Sequence, residues 1–280
     1  MKHEIFTKEL ELIKDERIRK NTEIILDLLP EYFYHIPASS TGKYHPNFSL
    51  GEGGLVRHVK VATRILNDLL NDTTYINNYS PYVDKNKEFS INEKDLMLMG
   101  IILHDGLKDG LLDFDYKEEE ENQNKLTELK NKRDELLKND IGNNEIDTIK
   151  KEISALYKKV HFTKFEHPIL ISNFIKSNKD KLDINEEELK FLCNILETHM
   201  GGLDTTGMNV DSETKQRLEF HKQYKQAWND EIKKYESTDT IEYELPTPKN
   251  KYQHLVHTAD FLSSRKYLNV NFENNDIVER

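Results

Sequence analysis

The chain has one cysteine, no apolar run approaching the ~20 residues of a membrane helix, and no excess of basic charge. Each shortage excludes something. A lone Cys193 cannot form an internal disulfide, which agrees with a reducing cytoplasm, and its setting in "FLCNIL" reads as core packing rather than as a nucleophile. Without an apolar run there is no membrane span. The first residues, "MKHEIFTKELELIKDERIRK", are amphipathic and mixed in charge, without the apolar centre of a signal peptide. The expectation is a soluble, cytoplasmic protein with no membrane partner. Acidic residues outnumber basic ones 51 to 40, a net charge of −11. Proteins that hold long nucleic acid through its phosphates usually present a basic face, and none is visible here. Any polyanion must be gripped locally, and the acidity favours a small substrate reached through a metal site.

What is present is mostly helix. The 280 residues can bury a substantial core in one large domain or two small ones. "TKELELIKDERIRKNTEIILDLL" keeps helical periodicity up to Pro30, so residues 1–36 read as an N-terminal helical segment ahead of a main domain at 37–280. A broken aromatic segment follows, then helices at "LVRHVKVATRILNDLL", "INEKDLMLMGIILHD", "HPILISNFIKS", "NEEELKFLCNILETHM" and "YQHLVHTADFLSSRKYL". A polar loop lies between the first two of these, and a polar helix is expected at "SETKQRLEFHKQYKQAWNDEIKKY", with Trp228 as a packing anchor. Asn185 and Glu188 stand at capping-box spacing. No stretch reads as a strand.

Residues 117–159 differ in kind. They carry 11 acidic and 10 basic side chains, nearly balanced, which argues against a phosphate-gripping arm. Ile146, Ile149, Ile153 and Leu156 follow 3-4-3 spacing, with Leu126, Leu129 and Leu136 as counterparts across "NDIGNN". The pattern predicts two helices folded back as an antiparallel coiled-coil hairpin. Two readings stay open: a solvated protrusion, or a lid or dimerisation arm that would make the protein a homo-oligomer.

The histidines carry the chemistry. "IILHDGLKDG" ends an apolar helix in adjacent His104 and Asp105, and burying either group is costly unless something binds it. His58 lies on the apolar side of its helix, His199 extends the Leu189, Leu192, Leu196 stripe, His167 starts a helix before Pro168, and Asp260 sits in an apolar helix. Taken singly, each is an ordinary core histidine or carboxylate. Taken together they place candidate ligands on five helices, and imidazoles and carboxylates converging in a core stay unsatisfied unless they share a cation.

In this order the series resembles the HD superfamily of metal-dependent phosphohydrolases. It is most similar to the HD domain of YhaM-type 3′-to-5′ exoribonucleases and their stand-alone relatives. The residues that carry the resemblance are "GGLVRH", "IILHD", "EHPI", "THMGG" and "HTADFLSSRK", spread over about Pro37–Leu268 without the charged hairpin. The resemblance implies an all-α HD-domain helical bundle and two divalent metal ions. His58, His104, Asp105 and Asp260 would hold one ion, and Asp105 would bridge to a second held by His167 and His199. Lys108 matches the lysine of the family's HDxGK segment, although the glycine here, Gly106, comes one position early, and would contact substrate phosphate beside the catalytic Asp105. The exoribonucleases also carry an OB-type domain before the HD domain, and no such region is expected here. Imidazole ligands suit Mn, Fe, Ni, Co or Zn better than Mg, with Mn, Fe, Ni or Co the ions expected here ahead of Mg or Zn, and two such ions neutralise a phosphate ester and activate a bound water.

Outside that set, Tyr44 and His45 in "GKYHPNF" are candidates for the mouth of the site, and Arg57 and Arg265 for contacts to phosphate or base. His35, His161, His254 and His257 read as local. The function expected is hydrolysis of a phosphate ester of a nucleotide or short oligonucleotide. The alternatives are a 3′-to-5′ exonuclease on single strands and a non-catalytic nucleotide-binding HD module.

Overall fold

The structure is a computed structural model that describes residues 1–39, 45–71, 89–138, 143–157, 159–161, 163–164, 166–201 and 246–278. The polar loop at 72–88 and the helix expected around Trp228 fall outside those residues. The described chain is mostly helical: α1 (Thr7–Leu10), α2 (Glu16–Leu28), α3 (Gly54–Asn71), α4 (Ile91–Leu103), α5 (Tyr116–Lys138), α6 (Asn143–Tyr157), α7 (His167–Ser177), α8 (Glu186–Thr198) and α9 (Lys251–Ser263).

The starts of these helices follow from their caps. Ser90 and Glu93 form a reciprocal capping box at α4, and Asn185 and Glu188 form the one expected at α8. Asn250 accepts from Tyr252 and Gln253 at α9. The single helix expected over residues 7–29 is instead two. The buried Asp95 carboxylate accepts the backbone N–H groups of Lys14 and Asp15 at 3.1 and 2.7 Å, which diverts them from helical bonding. Asp15 then caps α2 by accepting from Arg17 and Ile18.

Strands also occur where none was expected. β1 (Phe272–Glu273) and β2 (Asp276–Ile277) form an antiparallel pair around Asn274 and Asn275, both at positive φ (50° and 63°). Asparagine tolerates that conformation, and a two-residue turn of this hand matches strand twist. Two residues a side are too few to show alternation in a sequence.

One buried apolar cluster joins Phe6, Ile18 and Leu26 to Leu55 and Val59 of α3, Ile101 of α4, Leu192 and Leu196 of α8, and Val256 of α9. The N-terminal segment therefore shares the main core. Helix α3 packs on α9 and α4, α4 on α8 and α2, and α7 on α8. Helices α5 and α6 have a small core of their own, Leu126, Ile149, Ile153, Leu156 and Val160, flanked by Leu129 and Leu136. Their base is clasped to the main body. The buried Glu119 carboxylate accepts from the backbone N–H and the ring of His161 and from Gln123. The His161 ring stacks on Phe114, which stacks on Tyr32.

A second clasp sets the register of three helices. Arg17 of α2 donates through both Nη atoms to the Glu188 carboxylate at the head of α8, and Asn92 of α4 donates to it as well. Hydrogen bonds from Arg17 are the largest influence on Glu188 and hold its carboxyl at about 2, against 4.5 ordinarily. A lowered folded-state value means stability that is complete above pH 4.5 and is lost as the pH falls toward 2. Replacing Glu188 with Gln should therefore lower the melting temperature at neutral pH and flatten its fall across that acid window. Parallel melting curves for the two proteins from pH 7 to 3 would refute the assignment.

Candidate metal centre

Each ligand candidate sits at a helix end or on an inward helix face. His58 lies on α3, Asp260 on α9, and His167 opens α7. His104 and His199 are the C-cap residues of α4 and α8. Three of the rings are aimed by their own backbone. Nδ1 of His104, His167 and His199 donates to the carbonyl three residues earlier, that of Ile101, Lys164 and Leu196, at 2.6–2.7 Å. The Lys164 and Leu196 carbonyls each accept the backbone N–H of the same histidine as well, at 3.0 and 3.4 Å. His58 Nδ1 lies 3.2 Å from Ser263 Oγ. Because Ser263 Oγ donates its own proton to the Asp260 carbonyl at 2.7 Å, it accepts from the imidazole. With Nδ1 engaged outward, all four rings turn Nε2 inward, the nitrogen placed to ligate a metal when neutral.

Asp105 is the hub. Its Oδ2 lies 3.6 Å from His58 Nε2, 3.5 Å from His104 Nε2 and 2.5 Å from Lys108 Nζ. Its Oδ1 lies 3.0 Å from His167 Nε2 and 3.8 Å from His199 Nε2. Asp260 Oδ1 completes the first set, 3.1 Å from His58 and 3.5 Å from His104. Two groups of donors gather closely enough to hold an ion: His58, His104 and Asp260, and His104, Asp105 and His199.

The donor set fits divalent ions on two observations. His58 and His104 are buried, and their Nε2 atoms have no hydrogen-bond partner. Nε2 of His167 and Nε2 of His199 face each other at 3.0 Å while both Nδ1 protons are engaged elsewhere. Burial keeps His199 neutral, near 4, and pushes His58 down too. For His104 burial also pushes down, but Asp105 and Asp260 outweigh it and leave the ring raised. Burial alone would raise Asp105; Lys108, His104, His167 and His199 outweigh it and hold the carboxylate well below its ordinary value. Asp260 is likewise lowered, with burial outweighed by His104 and His58.

The turn after Asp105 accounts for the early glycine. A Cβ at Gly106 would come within 3.0–3.1 Å of Leu29 and the Leu103 carbonyl, so glycine lets the turn pack there. Leu107 enters the core, and Lys108 returns to the centre. Tyr32 clamps the turn by donating to the Gly110 carbonyl and accepting from the Asp109 backbone.

The outer candidates divide. His45 is half-buried with its ring 5.5 Å from that of His58, and burial lowers it to about 4, which places it beside the centre. Tyr44 lies outside the described residues. Arg57 is not brought to the centre. Its guanidinium donates to the carbonyls of Phe48 and Leu50 and to Asn275, tying the α3 start to the β1–β2 turn. Arg265 lies over the Phe261 ring and donates to that residue's carbonyl and to Ser264. Sequence reasoning missed Ser263, and it missed His257, which donates through Nδ1 to the His199 carbonyl at 2.7 Å. Neither residue breaks its local sequence pattern, so no local signal would have identified it.

No family model matches the chain, and no curated protein or solved structure matches it either. No described helix is long and apolar enough to cross a membrane.

Two stoichiometries are expected. The wild-type chain reconstituted with Mn should bind two ions, and the double variant His167→Ala/His199→Ala should bind one, read by elemental analysis. An equal ratio in both proteins would exclude two separate sites. Ser263→Ala should leave both ions bound but weaken the His58 site by about 10–100-fold, as loss of a ring-orienting partner does. Unchanged affinity would mean that Ser263 does not fix the His58 tautomer.

Proposed function

We propose that the chain is an HD-superfamily metal-dependent phosphohydrolase that hydrolyses a phosphate ester of a nucleotide with a metal-activated water. In this reading the described helices form the HD bundle, and α5 and α6 are an inserted antiparallel coiled-coil hairpin. The observation that carries it is the division of Asp105, with one oxygen toward His58 and His104 and the other toward His167 and His199. A carboxylate shared between two imidazole sets is the ligand a pair of divalent ions needs, and imidazoles suit Mn, Fe, Ni or Co. When bound, such a pair neutralises phosphate charge and lowers the pKa of a coordinated water.

The protein's own groups do the rest. The ring-to-carbonyl bonds of His104, His167 and His199 preset the geometry, so little reorganisation accompanies reaction. Lys108 shares Asp105 Oδ2 with the first imidazole set and is 7% exposed. Released from that oxygen, the Lys108 ammonium would be placed to hold the substrate phosphate. His45 lines the approach to His58. The net acidity, and the absence of a basic tract in the described structure, favour a small substrate over a long strand.

The test is hydrolysis of a panel of nucleoside monophosphates, triphosphates, cyclic nucleotides and short single strands with Mn, Co and Mg. Activity should vanish in chelator and return with metal. Asp105→Ala and the isosteric Asp105→Asn should each lower turnover by roughly 10³-fold or more, about 4 kcal/mol of transition-state stabilisation. A wild-type rate in a folded Asp105 variant would refute the site, and metal binding without hydrolysis of any member would favour the non-catalytic binding module.

A further inference from the structure

A cavity of about 280 Å³ opens between the α5 base, the His35 segment and the loop leading into α3. It lies beside the turn that carries Lys108. Asp109, in its lining, directly follows Lys108, and Thr163, also in its lining, precedes Lys164. Lys164 joins the two, donating its backbone N–H to the Lys108 carbonyl and accepting from His167 Nδ1.

The lining has a consistent chemistry. His35 and Tyr116 stack face to face at 3.8 Å and 3°, giving a flat aromatic edge. Glu52, Asp109 and Glu120 supply carboxylates, and no lysine or arginine lines the cavity among the described residues. Gln123 spends its amide N–H groups on Glu119 and the His161 carbonyl, which leaves its oxygen as an acceptor. Acceptors therefore dominate. Such a pocket repels phosphate and takes a planar, uncharged group rich in hydrogen-bond donors.

We infer that this cavity is the nucleoside subsite of the centre, so that the substrate is a nucleotide with its phosphate at one end and not a polynucleotide. Base amino groups and sugar hydroxyls supply the donors, and the aromatic edge meets the base plane. A strand that continued past the nucleoside would bring its next phosphate among Glu52, Asp109 and Glu120. Because α5 provides much of the wall, the α5–α6 insertion sets specificity. The inference rests on the phosphohydrolase reading, and its test separates the two.

Free nucleosides, which carry no phosphate, are titrated into Mn-loaded protein by saturation-transfer NMR and calorimetry, and inorganic phosphate is titrated separately. Asn124 lines the cavity from the exposed face of α5, so Asn124→Trp fills it without disturbing a core. At least one nucleoside should bind wild type and not the variant, whose metal content and phosphate affinity stay as they were. With the matching monophosphate the variant should show a KM raised about tenfold or more and a smaller change in kcat. Glu120→Lys should narrow the preference for mononucleotide over dinucleotide. Failure of every nucleoside to bind wild type, or dinucleotides and longer strands cleaved better than mononucleotides, overturns the subsite. If nucleosides bind and Asn124→Trp abolishes that binding, yet no phosphate is released from any nucleotide, the subsite stands and the hydrolase reading falls.

Discussion

Asp105 sits where the ends of α4, α7 and α8 meet the inward face of α3, and both of its oxygens are committed to nitrogen groups. Burying a carboxylate costs several kcal/mol unless cationic charge and hydrogen bonds offset it. Burial pushes His58 and His199 toward the neutral form, so these two imidazoles do not provide that charge. Lys108 supplies one positive charge, on one oxygen. The other oxygen faces two bare imidazole nitrogens. The packing of the surrounding helices holds this arrangement in place, and divalent cations are what would balance it.

Because three rings are fixed by the carbonyl three residues back, the shape of the centre is largely the shape of helix termini. Anything that shifts α4 or α8 along its axis shifts a ligand. That gives the Arg17–Glu188–Asn92 clasp, at the far ends of these helices, a bearing on the site it does not touch. The same holds for Asp95, whose capture of the Lys14 and Asp15 amides docks the N-terminal helices on α4.

How much of this could be read in advance depended on the range of each interaction. His58, His104, His199 and Asp260 were legible because a polar residue inside an apolar helical stripe is a local anomaly, and His167 because Pro168 marks a helix start. The α5–α6 core was legible from its spacing. Arg57 was not: adjacent to His58 in sequence, it is drawn off by Asn275, 218 residues away. The break between α1 and α2 depends on Asp95, some 80 residues on, in a stretch whose own periodicity is unbroken. Ser263 could not be singled out from other serines, since its role follows from donating to Asp260 while accepting from a ring on another helix.

The distribution of charge ties the outer parts to the centre. The chain is acidic overall; its centre sets the Asp105 and Asp260 carboxylates among imidazoles and one ammonium, and the cavity beside the Lys108 turn is lined by carboxylates and carboxamides. With divalent ions at the centre, a ligand with anionic and neutral halves would have one orientation that satisfies both regions, and the reversed orientation would place an anion among carboxylates. Selectivity of that kind comes as much from what the cavity repels as from what it binds. It also gives the Glu119–His161 clasp and the Phe114–Tyr32 stack a function beyond anchoring. They hold the base of α5 against the Lys108 turn, so the wall proposed to select and the centre proposed to react are tied through that turn.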